Sequence, residues 1–133
     1  MTNSEYIQAN AYKPNTSHGN LFTDGNGTMY SYGFHYPLLF EVNGLKFINT
    51  AGYSNTTAKH ISHARSLAQH EVHISYNNSD ISPLAIQKAL ANERAYILDE
   101  IEAIKRKNTK KEARLQQRVN EIEQALTELQ GTL

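Results

Sequence analysis

The sequence predicts an α+β fold: a small antiparallel β-meander covered by one helix, followed by a C-terminal antiparallel helical hairpin of coiled-coil character. Three observations predict it. Two short apolar runs, residues 38–42 and 45–50, flank Asn43-Gly44, a pair that readily takes the positive φ angles of a tight hairpin turn. Gly52 then breaks the second strand, and Ser54 or Asn55 offers a side-chain oxygen to the free N–H groups of a following helix. Downstream, Leu115, Val119, Ile122, Leu126 and Leu129 step at four, three, four and three residues, the heptad seam of a coiled coil.

Taken in order, residues 1–20 are polar and read as a loosely held arm with room for one turn of helix, on which Tyr6, Ile7 and Tyr12 could pack. A floppy tail fits that composition equally well. Residues 21–23 and 29–32 are short strand candidates on either side of Asp24-Gly25-Asn26-Gly27, a linker tolerant of positive φ. Pro37 opens the next strand, in which alternation puts Leu38, Phe40 and Val42 on one face and Leu39 and Glu41 on the other. The strand after Asn43-Gly44 returns antiparallel, which leaves a meander with one face seeking cover.

The cover is a helix over residues 56–69, with Ala58, Ile61, Ala64 or Arg65, and Ala68 at three- and four-residue steps. A closing strand over 71–76 alternates Val72, Ile74 and Tyr76 against Glu71, His73 and Ser75. Residues 77–80 form a polar boundary, so the chain divides into an arm (1–20), an α+β module (21–80) and a helical hairpin (81–133). Ser82 is the cap and Pro83 the first residue of the next helix. Ile86, Leu90, Ile97, Ile101 and Ile104 form its seam. The run Lys105-Arg106-Lys107-Asn108-Thr109-Lys110-Lys111 has no apolar residue, and Thr109 followed by Glu112 is a capping-box pattern. A hairpin turning near Asn108 follows, with one uninterrupted helix as the rival. The seam from Leu115 to Leu129 then packs on the first helix of the hairpin or mediates self-association as a homodimer.

Composition sets limits. The 133 residues suit one compact domain or a small domain with an appendage, and 39% hydrophobic content fits a modest core with a solvated helical extension. Zero net charge gives no bulk attraction to nucleic acid or membrane, and the absence of cysteine excludes disulfides, thiolate zinc sites and cysteine nucleophiles. The N-terminus has neither basic flank nor apolar run, and no window is apolar enough to span a bilayer. The expected setting is the cytoplasm, with no membrane association and no cofactor.

Four groups of side chains are candidates for function. His60 and His63 share a helical face, and His70 or His73 could add a third metal ligand, with His18 and His35 outside. The spacing matches no established zinc motif, so ordinary hydrogen-bonded histidines are the plainer reading and a hydrolytic metal site the third function considered. Ser54, Thr56, Thr57, Lys59 and His60 could hold an anion at a helix N-terminus, although Ser54, Asn55 and Thr57 as caps, with His60 bonded back to the strand, is the favoured reading. Lys105, Arg106, Lys107, Lys110, Lys111, Arg114 and Arg118 gather as a basic tip if the hairpin forms. Such a tip suits a nucleic-acid backbone or an acidic protein groove, or is a plain solvated turn. Tyrosine supplies eight of twelve aromatics, and Tyr30, Tyr32, Tyr36 and Tyr53 cluster on the meander, where they suit a half-exposed contact face, although sheet propensity alone also selects them and is the plainer cause. No nucleophile elbow, P-loop or dinucleotide glycine box is present.

Tyr30-Ser31-Tyr32, Ile48-Asn49 and Tyr53-Ser54-Asn55-Thr56-Thr57-Ala58-Lys59-His60 resemble a small domain of unknown function found in bacteriophages, plasmids and other mobile elements, marked by a Y-S-x-T-T-x-x-H box. The likeness spans about residues 21–70 and departs at Gly33-Phe34-His35-Tyr36-Pro37. It implies a phage or mobile-element origin with no established activity, and points to Tyr53, Ser54, Thr56, Thr57 and His60. Small phage proteins of this build are often inhibitors of host defence, including CRISPR effectors. The function expected is therefore a non-enzymatic binding protein that occupies a host protein surface, such as a nucleic-acid-bound defence effector. A nucleic-acid-binding accessory protein using the basic tip is the alternative.

Overall fold

The computed structural model describes residues 1–34, 36–51, 55–67, 71–76, 78–104 and 109–131. Helix α1 (Asn3–Asn10) leads into strands β1 (Ser17–His18), β2 (Leu21–Thr23), β3 (Met29–Ser31), β4 (Pro37–Val42) and β5 (Leu45–Asn49). Helix α2 (Asn55–Leu67), strand β6 (Val72–Ile74) and helices α3 (Pro83–Glu102) and α4 (Thr109–Gly131) complete the α+β fold. The six strands form one sheet in chain order, antiparallel except that β6 runs parallel to β5. A parallel neighbour needs a crossover, and α2 supplies it.

The turns follow the residues. Asn43 (φ +51°) and Gly44 (φ +82°) close a two-residue hairpin between the paired Val42 and Leu45. In the Asp24–Gly27 turn, Oδ1 of Asp24 accepts from the backbone N–H of Asn26 and of Thr28 at 2.9 and 3.0 Å. The segment expected as a loose arm is packed instead. Thr2 and Glu5 form a reciprocal capping box around the start of α1, and Tyr6 and Ile7 are buried.

Both faces of the sheet are covered, not one. Phe40, Val42, Phe47 and Ile74 pack against Ile86, Leu90 and Ile97 of α3 and Val119, Ile122, Leu126 and Leu129 of α4. On the opposite face, Leu39 and Ile48 meet Tyr6 and Ile7 of α1 and Ile61 and Ala64 of α2. Leu38 joins this second group, against simple alternation. Met29 pairs with Leu39 while Tyr30 pairs with Pro37, so Leu38 is the extra residue of a β-bulge and is carried to its neighbour's face.

The C-terminal helices pack as a pair. Glu100 meets Lys111 and Glu93 meets Arg118, so α3 and α4 run in opposite directions, while the turn expected near Asn108 lies outside the described residues. The seam of α4 is spent inside the molecule, on α3 and on the sheet. Val119, Ile122 and Leu129 are at most 1% exposed.

Candidate functional site

Of the tyrosines expected on one contact face, Tyr30 and Tyr36 are buried and Tyr32 stands out, 60% exposed; Tyr53 lies outside the described residues. Phe34, which the sequence did not single out, stands beside Tyr32 in the chain and is 64% exposed. Its ring meets Phe22 and Tyr30 edge-on, with centroids 5.0 and 5.1 Å away, while Phe22 and Tyr30 stack at 5.4 Å. The stack is anchored by the Tyr30 hydroxyl, which donates to Oδ2 of Asp24 at 3.2 Å. Burial, with the adjacent Asp24 charge, pushes the Tyr30 phenol up to about 12. Tyr32 sits at φ +74°, a conformation side chains seldom adopt, and its N–H donates to the carbonyl of Asn20 at 2.7 Å. The fold thus presents one exposed ring, Phe34, on a packed aromatic base, and a second, Tyr32, on strained backbone two residues before it.

Of the box singled out by resemblance, His60 has a structural job. His60 is 2% exposed, and its Nδ1 shares a 2.7 Å hydrogen bond with Oγ of the equally buried Ser31, which ties α2 to β3. Burial, helped by the nearby His63, holds its imidazole below the usual histidine range. Asn49, at the end of β5, uses its whole side-chain amide. Nδ2 donates to the carbonyls of Pro37 and Tyr76 at 2.9 and 2.6 Å, and Oδ1 accepts from the N–H of Ala51 and Tyr76 at 3.0 and 3.1 Å. A carboxamide can make all four bonds, so a polar residue at a strand end is fully satisfied in the core. Tyr53 and Ser54, and the side chains of Thr56 and Thr57, lie outside the described residues.

The basic tip is partly dismantled. Arg118 points inward: it donates to Oε1 of Glu93 through Nε and Nη2, at 3.2 and 2.9 Å, and through Nη2 to the carbonyl of His73. His73 lies on β6, the last strand of the sheet, so the guanidinium caps an open sheet edge. Lys111 approaches Glu100 at 3.8 Å across the hairpin. Lys110 and Arg114 are exposed, whereas Lys105, Arg106 and Lys107 lie outside the described residues.

Among the described residues, no group of three or more His, Asp or Glu is placed to hold a metal ion, and His35 and His70 lie outside them. His18 stacks on Tyr6, and His73 is half-buried on β6. No helix among the described residues is long and apolar enough to cross a membrane. The chain matches no family model, no curated protein and no solved structure.

Proposed function

We propose that this chain is a non-enzymatic binding protein that works by occupying the surface of a host protein, with Tyr32 and Phe34 as the central contacts. The observation that carries this reading is the exposed Phe34 ring seated on the Phe22–Tyr30 stack, with the exposed Tyr32 two residues before it. Aromatic side chains held rigid before binding lose little entropy on association and dominate interface energies. The likeness of the Tyr53–His60 box to mobile-element domains supports a phage or plasmid origin, the cytoplasm of the host as the place of action and a defence effector as the target.

The test is affinity capture from host lysate with the full chain and a Tyr32→Ser/Phe34→Ser variant. Both positions are exposed, so the fold is expected to persist by circular dichroism. A captured protein whose affinity drops by roughly 2 kcal/mol or more in the variant supports the reading. Equal capture by the variant removes it. The nucleic-acid reading rests on the exposed Lys110 and Arg114, and predicts DNA or RNA binding with steep salt dependence that fails when both are neutralised.

A further inference from the structure

A groove of about 660 Å³ runs beside β6 at the end of the sheet, between that strand and α4. It lies apart from the aromatic rings on β2, β3 and the loop after β3. Leu45, Val72 and Ala125 give it an apolar floor. Glu121 and Glu128, two helical turns apart on α4, form one rim, and Glu71 stands on the other. Arg118 closes one end, paired with Glu93 at 2.9 Å and with Glu121 at 3.6 Å, and Glu71 accepts from the Tyr12 hydroxyl at 3.0 Å. Four carboxylates (Glu71, Glu93, Glu121, Glu128) against one guanidinium leave the groove at a net charge of −3. His73, whose protonation burial and Arg65 disfavour, adds no positive charge near neutrality.

A concave, partly apolar wall of one sign concentrates the field and selects cations. The floor selects further, because lysine and arginine carry aliphatic stems that lie on apolar surface while their heads reach outward. An added β-strand is disfavoured here, since the Arg118 guanidinium already occupies the outward carbonyl of His73. A helix laid alongside α4 repeats at the spacing of Glu121, Gln124 and Glu128 and meets no such block.

We propose that this groove docks a basic amphipathic helix of a partner protein, with leucine-type side chains on the Leu45–Val72–Ala125 floor and Lys or Arg heads on Glu71 and Glu128. This goes beyond the aromatic contact and does not depend on it.

The experiment is an amide NMR titration of the full chain with a synthetic helical peptide carrying leucines at i, i+3, i+4 and i+7 and Lys or Arg beside them. Three controls accompany it: the peptide with Glu in place of its cations, the peptide with Ser in place of its leucines, and spermine. The expected result is shifts centred on Val72, His73, Gln124 and Glu128. A Gln124→Lys/Glu128→Lys variant, altered only at exposed positions, should keep its circular dichroism spectrum and weaken binding roughly tenfold or more. Tyr32→Ser/Phe34→Ser should leave the titration unchanged, which separates this site from the aromatic one. The proposal is overturned by no shifts at about 1 mM peptide, by shifts centred instead on the acidic end of α3 at Asp99, Glu100 and Glu102, by equal binding of the serine peptide or spermine, or by an unaffected lysine variant.

Discussion

Within the core, two polar side chains decide how the sheet and α2 are joined. Asn49 replaces ladder bonds that the sheet cannot make where β4, β5 and the chain beyond β6 converge, and His60 latches α2 to Ser31. The latch is sensitive to pH. With its folded-state pKa held below the ordinary 6.5 by burial and by His63, His60 binds fewer protons in the folded than in the unfolded chain. Stability is therefore expected to be flat above about pH 7 and to fall as pH drops through 6.5. His73, shifted the same way by burial and by Arg65 and Arg118, adds a contribution of the same sign. Urea unfolding at a series of pH values checks this: His60→Gln should lower stability at neutral pH and keep only the shallower slope that His73 supplies. An unchanged slope in the variant would refute the assignment. The sequence suggested a bond from His60 back to a strand without naming Ser31, and offered Asn49 only as a type. Nothing in a strand asparagine says whether it is satisfied by the core or turned toward a ligand, because all its partners but Ala51 lie 12 or 27 residues away, and the Ser31 partner of His60 lies 29 away.

Among the elements, local chemistry was legible wherever a turn or cap dictates φ, and poorly legible where packing decides. Asn43-Gly44, Ser82-Pro83, α2 and the α4 seam formed as their residues indicate. By contrast, α1 is only weakly amphipathic, and its signal was the pairing of Thr2 with Glu5 rather than an apolar stripe. The bulge at Leu38 carried no signal, since an inserted residue inverts alternation without changing composition. Two glycines at positive φ separate these influences. At Gly44 (φ +82°) an added Cβ meets nothing within 4 Å, so Gly44→Ala carries only the backbone cost of about 1 kcal/mol. At Gly27 (φ +81°) the same atom would lie 2.4 Å from the carbonyl oxygen of Tyr12, itself at φ +65°. Main-chain atoms cannot turn aside as a side chain can. Gly27→Ala should cost about 3 kcal/mol or more. Chemical denaturation of the two variants side by side tests the order, and equal losses would show that the contact between residues 12 and 27 is not tight.

For the molecule as a whole, the hairpin is the lid of the core, not an extension of it. The heptad pattern of α4 correctly marked a buried stripe, but it was silent on the second partner, the sheet face formed by Phe40, Val42, Phe47 and Ile74. A trace of that partner is present in the runs Leu38-Leu39-Phe40 and Phe47-Ile48, because strands covered on both faces lose their polar alternation. The arrangement predicts that residues 1–80 do not fold alone. Removing α3 and α4 strips cover from four large side chains that are at most 5% exposed in the full chain. At about 1.5–3 kcal/mol for each, that loss matches the whole stability expected of a small domain. A truncated chain ending at residue 80 should show no cooperative thermal transition and should bind an apolar dye such as ANS, while the full chain unfolds in one step. The same chain supplemented with a separate α3–α4 peptide should regain the transition, since the sheet and the helix pair meet through packing along Phe40, Phe47, Ile122 and Leu129 and through the Arg118 bond to the His73 carbonyl. A cooperative transition in the truncated chain without the peptide would show that α1 and α2 suffice as cover, and would return the helix pair to the status of an independent arm.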